Sequence, residues 1–377
     1  MSSVNHLPMA VGMLQRLTMQ EAARQPRLPQ ELTDIVIDHL HDDKESLKAC
    51  TLVSDDWFWP ARFHLFNTTV ITTSNEKHGL DAFLDSVATS PLQLGHQVRC
   101  LHVRGAHDKS QDDFLSILDF MKAILPRLPS IRKVTLSRMV WGQGALLPSE
   151  FTHPMPWELG MLSLKDIRLE ASDAESLDVA QRHLAYLLQL FSSIRLLTID
   201  TVRIGYRALY RTPFTVAPVV HPLLDPVIRG RCRISALNCF TEDDSFYLLA
   251  ALSRLGFARN LQTLKFGSGC PEITTAAQIV TNFAASSLRF VRYRVPSDDY
   301  VASRMPVFDL SRCTSLHTAH LRGFVSSSLE ARTVLTQMIN TVTCTPPETQ
   351  AVILEFFARP QDFDFLYDTP AKKGGRC

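Results

Sequence analysis

The 377-residue chain reads as an α/β protein, a small helical region followed by a long stack of parallel strands and crossover helices. Three observations predict this. A six-residue phrase, apolar-x-x-apolar-x-apolar, recurs along most of the chain. Segments with helical spacing lie between several of its copies. Near the start, residues 28–71 carry more apolar side chains than short helices can cover by themselves.

Residues 1–26 set Arg16 and Arg24 against Glu21, with no charged n-region or continuous apolar core, so a disordered leader is expected and not a secretory signal. A helix is predicted from Pro29, where a missing N–H suits the first helical position, to Leu40. On it Leu32, Ile35, Val36, Ile37 and Leu40 spread over roughly 200° of circumference. Residues 44–59 read as a second helix, apolar nearly all round through Leu47, Cys50, Leu52, Val53, Trp57 and Trp59. Such a helix must be buried on more than one side. Pro60 is expected to restart the chain as a third helix, PARFHLF.

Beyond residue 80 the phrase starts at residues 98, 131, 164, 194, 234, 261, 288, 316 and 349, from VRCLHV to a weaker TQAVIL. The last positions of each copy alternate apolar and polar, as a half-buried strand does. Between copies lie DDFLSILDFMKAIL, VAQRHLAYLLQLF, DDSFYLLAALSRLGF and TAAQIVTNFAA, all helix-patterned. Strand and helix alternating at this pitch predict parallel strands with the helices on one side. The proline-containing spans 141–163 and 206–232 lack a helical period and are expected to be long loops. The final AKKGGRC reads as solvated chain.

The first region resembles the F-box family, in wording closest to its fungal-type members. The residues that carry the resemblance are Leu28-Pro29, Glu31-Leu32, the Ile35/Ile37/Leu40 pattern, and Leu52-Val53-Ser54 followed by Trp57. Asp55-Asp56 departs from the basic or small residue common before that tryptophan. The phrase resembles the leucine-rich repeat, although no copy carries the expected asparagine; Ala106, Met139 and Ser172 stand at the first three of those sites. The fold class implied is a three-helix F-box followed by an irregular leucine-rich-repeat-like solenoid of parallel strands and helices. Its domains would be the leader, 27–72, 80–358 and a tail at 359–377.

The function implied is that of a substrate receptor in a Skp–cullin–F-box ubiquitin ligase. The adaptor-binding residues would be Leu28, Pro29, Leu32, Ile35, Leu52, Val53 and Trp57. Outward strand positions offer a second surface, most basic in the last copies, where Arg292, Arg294 and Arg322 meet no acid at the corresponding sites. With Arg168 and Lys265 they form the expected target-binding set, suited to an acidic or phosphorylated peptide. The alternative is a repeat-based scaffold with no role in ubiquitin transfer.

Composition adds exclusions. A formal net charge of +1 and 20% charged residues give no field for nucleic acid, and no apolar run is long enough to span a membrane. Eight scattered cysteines without a CxxC pair fit reduced thiols in cytoplasm or nucleus. There is no GxSxG, GxxxxGK[ST] or HExxH, and the thirteen histidines show no ligand spacing. Five Asp-Asp pairs are read as helix caps. No enzyme activity, cofactor or metal is expected.

Overall fold

The computed structural model describes residues 28–73, 78–90, 93–105, 113–141, 157–169, 183–204, 232–239, 246–267, 271–295, 305–325 and 328–358. The chain divides between Asn67 and Thr68 into two compact units. The expected leader and tail lie outside the described residues, as does most of the span 206–232.

The first unit holds helices α1 (Gln30–His39), α2 (Lys44–Cys50) and α3 (Asp55–Asn67). Asp43 caps α2: its Oδ1 accepts the N–H groups of Glu45 and Ser46 at 3.1 Å each, and the Ser46 hydroxyl donates to Oδ2 at 2.6 Å. These bonds, the Ser46 hydroxyl first, hold the Asp43 carboxyl below its ordinary range.

The boundaries differ from those expected. The run 44–59 is not one helix, because the chain turns at 51–54 and the Ser54 carbonyl accepts the N–H of Trp57 (3.1 Å) and Phe58 (2.9 Å) to begin α3. Asp55 and Asp56 lie in that first turn, where carboxylates oppose the helix dipole. Pro60 sits inside α3 and does not start a helix. A proline there leaves the carbonyl four residues earlier without its donor. That carbonyl, on Asp56, receives the Gln30 side-chain amide at 3.4 Å. The His64 Nε2 lies 2.8 Å from Asp38 Oδ1 and ties α3 to α1. Ile37, Leu47, Cys50 and Ala61 are buried together, with Leu40, Trp57 and Leu65 packed against them.

The second unit is an open parallel sheet with helices. Its strands are β1 (Thr68–Thr73), β2 (Cys100–Gly105), β3 (Lys133–Ser137), β4 (Val140–Trp141), β5 (Trp157–Leu169) and β6 (Phe191–Ile204). They continue with β7 (Arg233–Cys239), β8 (Thr263–Gly267), β9 (Phe290–Val295), β10 (Thr318–Val325) and β11 (Ala351–Ala358). The order across the sheet follows the sequence from β1 to β11, with β4 paired only to β5, and each pairing is parallel. The helices are α4 (His78–Thr89), α5 (Asp113–Ile124), α6 (residues 183–189), α7 (Phe246–Arg254), α8 (Pro271–Phe283) and α9 (Ser328–Thr343).

All nine copies of the phrase coincide with strands, β2, β3 and β5 to β11. Two corrections follow from the same chemistry. Residues 68–73, expected at the end of the helical region, are a strand; their sequence TTVITT is rich in β-branched side chains, which favour strand over helix. The span 141–163 is not loop throughout, since β5 begins at Trp157 and pairs with β6 from its first residue.

Register makes the inner face continuous. Leu101, Val134, Leu162, Leu197, Leu237, Leu264, Val291 and Ala319 stand side by side in β2 to β10, and all are buried. A second row runs from Val103 through Phe266 and Tyr293 to Leu321, equally enclosed. Helix residues such as Ile117, Leu187, Leu249, Val280 and Val334 close the same core. Phe266, Tyr293 and Phe308 pack as an aromatic group, with Phe266 and Tyr293 stacked at 4.7 Å.

Arg138, Asp166 and Thr201 adopt left-handed φ values of 56°, 52° and 56°, just past the matching ends of β3 and within β5 and β6. Each interrupts the alternation at a matching position, so Met139, Ile167 and Val202 face the core while β5 and β6 stay in register. Gly323 marks a close approach, because a Cβ there would stand 2.4 Å from Val334 and 3.2 Å from Met338 of α9.

Candidate functional site

Two surfaces carry the candidate residues, one on each unit. In the helical unit, α1 is apolar on two sides. Thr33 and Ile37 are buried with Leu40 against them, whereas Leu32, Ile35 and Val36 are exposed, continuing from Leu28. At 100° per residue the two stripes lie roughly 120° apart. Leu52 and Val53, in the turn after α2, are 87% and 63% exposed. Pro29, at the N-cap of α1, is exposed as well.

Trp57 behaves otherwise. It is half-buried against the small core, and Trp59 is the tryptophan that faces out, at 53% exposure. Of the expected set, Trp57 thus packs partly on that core, while Val36 and Trp59 stand among the exposed apolar side chains. The break at 51–54 explains this placement, since restarting the helix at Asp55 rotates Trp57 inward. Full burial of a Leu or Val side chain gains about 1.5–3 kcal/mol, so covering Leu52 and Val53 alone is a substantial docking energy.

The sheet unit presents its outer face as registered rows. One row reads Val70, His102, Thr135, Ser163, Thr198, Asn238, Lys265, Arg292, His320 and Ile353 from β1 to β11. It is short and polar in the middle strands and cationic toward the end. The next row places Arg294 beside Arg322 and Arg322 beside Glu355. Four of the five expected target-binding residues, Lys265, Arg292, Arg294 and Arg322, thus gather on β8 to β10. Arg168 does not join them. It lies near the end of β5 between Val140 and Arg203, three strands from Lys265 and beyond its row, which puts it more than about 14 Å away at strand spacing.

The expectation that no acid stands at these sites is corrected by Glu355. Its Oε2 is 2.8 Å from His320 Nε2 and 2.8 Å from Arg322 Nε. The Arg322 contact is an ion pair without an aligned N–H···O bond. Arg292 Nε donates to His320 Nδ1 at 3.1 Å, which leaves Nε2 as the donor to Glu355. The Arg322 guanidinium lies 4.6 Å from the Phe357 ring centre, and Lys265 Nζ is 5.9 Å from that of Phe290. Among the described residues, Lys265, Arg292, Arg294 and Arg322 share this end of the outer face with the carboxylate of Glu355. Glu355 was missed because the ninth phrase is the weakest copy, although period two from Ile353 places it outward.

Burial pushes the Cys232 thiol up to about 12 and the Cys313 thiol up to about 11, so neither supplies a thiolate near neutral pH. Among the described residues no group of three His, Cys, Asp or Glu side chains is placed to hold a metal. No described helix is long and apolar enough to cross a membrane. Neither a protein-family model nor a curated protein matches the chain.

Proposed function

We propose that the chain is a substrate receptor of a Skp–cullin–F-box ubiquitin ligase, acting in the cytoplasm or nucleus, with the helical unit as its F-box. The supporting observation is the exposed pair Leu52 and Val53 beside a core too small to take them in. Leu28, Leu32, Ile35 and Val36 add a second exposed apolar stripe on α1. Exposed apolar groups arranged this way mark an interaction site for a partner of like chemistry. The sheet unit serves as a degenerate leucine-rich-repeat-like solenoid. Its outer face holds the target, and Lys265, Arg292, Arg294 and Arg322 favour an acidic or phosphorylated segment. The receptor supplies position, and the conjugating enzyme of the complex supplies the chemistry.

The test is retention of the full chain by purified Skp adaptor. Wild type is expected to bind. Replacing Leu52 and Val53 together by Asp is expected to weaken capture at least 100-fold, with the helical signal and unfolding midpoint unchanged. A wild-type chain that the adaptor does not retain, or equal retention of the double variant, ends the reading. In the first case the scaffold alternative stands, since the outer face of the sheet does not depend on the adaptor.

A further inference from the structure

On the outer face, β9, β10 and β11 set the Glu355 carboxylate among cations. His320 is the enclosed member of the group, with its side chain 10% exposed. Arg292 Nε donates to its Nδ1, so the ring carries its proton on Nε2. Glu355 Oε2 accepts that proton's hydrogen bond at 2.8 Å. The same oxygen lies 2.8 Å from Arg322 Nε, and here no aligned bond forms. Arg322 Nε is closed to solvent and has no hydrogen-bond partner. A buried donor left in this way is costly and asks for an acceptor. The Arg322 guanidinium also rests 4.6 Å from the Phe357 ring centre, a contact that fixes its place. Glu355 is thus an anion held by one good hydrogen bond and one poor contact. Its side chain is 37% exposed, so rotation about its own bonds returns it to water. An ion pair this exposed contributes little, and leaving it costs little.

We propose that the Glu355 carboxylate is an internal stand-in for a target's anion, and that a phosphate monoester on the target displaces it from His320 and Arg322. Near neutral pH such a group carries about 1.5 to 2 negative charges and three strong acceptor oxygens. Separate oxygens then accept from His320 Nε2 and Arg322 Nε, which a single carboxylate oxygen fails to do. Arg294, beside Arg322 in register, adds a further cation. The target's neighbouring residues run along the polar row through Asn238, Thr198 and Ser163, which offers hydroxyl and amide partners. An internal competitor lowers the fraction of sites open to a ligand, and apparent affinity falls by that fraction. Glu355 therefore sets a threshold that a phosphate passes and a lone carboxylate does not. The inference rests on the target-binding reading of the outer face, which it deepens, and is independent of the adaptor.

Calorimetric titration of the full chain at pH 7.5 and constant ionic strength tests it. The probes are an alanine–serine heptapeptide with one central phosphoserine, its aspartate counterpart, and inorganic phosphate. The phosphopeptide is expected to bind at least 10-fold more tightly than the aspartate peptide. Glu355→Gln, which keeps the shape and removes the charge, is expected to tighten phosphopeptide binding at least 10-fold. Histidine ring NMR locates the event: the His320 signal is expected to move, and that of His102, in the same row on β2, to stay. Unchanged or weaker binding by Glu355→Gln, or equal binding of the two peptides, overturns the proposal and leaves the target-binding reading in place. Inorganic phosphate that binds more tightly than the phosphopeptide assigns the site to the free ion and overturns it too. No binding of any probe to either protein overturns the proposal and that reading together. Should the variant not fold, the wild-type chain decides alone, and phosphopeptide binding without movement of the His320 signal overturns the proposal.

Discussion

In the helical unit, exposed Leu52 and Val53 follow directly on buried Cys50, and exposed Leu32, Ile35 and Val36 share a helix with buried Ile37. In β11, exposed Val352 and Leu354 continue rows that are enclosed in β2, β3 and β5 to β10, and exposed Phe356 stands beside buried Gly323. The first exposure comes from size. Three short helices enclose a handful of side chains, and a second apolar stripe has nowhere to go within them. The second comes from repetition. Each strand of a stack is covered by its neighbours, and the last has a neighbour on one side only. The first is set by how few side chains three short helices enclose, and the second by position at the end of the described strand order.

The comparison breaks most visibly through the small core. Leu47→Ala removes a fully enclosed side chain and is expected to destabilise the helical unit by about 3 kcal/mol, whereas Leu52→Ala is expected to change its stability by less than about 0.5 kcal/mol. Thermal unfolding followed by circular dichroism reads both. Similar losses for the two would mean that Leu52 is part of the core, and the contrast between inner and outer stripes would fail.

The large core of the sheet unit should respond to acid through His183 on α6. Burial lowers its pKa from an ordinary 6.5 to about 4, so the folded state favours the neutral ring. A group depressed in this way contributes its full stability above pH 6.5 and loses it as the pH falls toward 4. The loss over that window is expected to be up to about 3 kcal/mol, and His183→Leu should flatten it. Denaturant midpoints at pH 7 and pH 4.5 for both proteins give the difference. No such dependence would mean that the ring is solvated.

The smallest effect belongs to the outer face. Arg322 and Glu355 are partly exposed and their contact is not an aligned hydrogen bond, so a double-mutant cycle with Arg322→Ala and Glu355→Gln should return about 0.5 kcal/mol. A coupling several times larger would make this cluster a fold determinant and not a surface held for a ligand.

Much of the fold was legible in the sequence. Period-two alternation located nine strands, and the segments between them announced helices. What escaped was set by backbone events that leave little trace in hydropathy. The restart of α3 at Asp55 was hidden because the apolar run from Leu47 to Trp59 continues across the break; Ser54-Asp55-Asp56 was the legible signal, as cap chemistry. Pro60 misled because Gln30, distant in sequence, takes up the carbonyl that an interior proline leaves. The left-handed residues Arg138, Asp166 and Thr201 reset the alternation with little trace in hydropathy. For the candidate surfaces, the sequence marked Leu28, Leu32, Ile35, Leu52 and Val53 among the exposed residues and gathered four of five basic positions. Trp57 packs partly on the small core, Arg168 lies away from the other basic positions and Glu355 was missed, because facing and neighbourhood depend on register, which composition does not carry.

Hydrogen exchange of the full chain with and without purified Skp adaptor tests the central claim most directly. The account predicts new protection at residues 28–36 and 52–53, with the amides around buried Ile37 and Leu47 little changed. Binding without protection at Leu52 and Val53, or protection confined to the sheet, would contradict it.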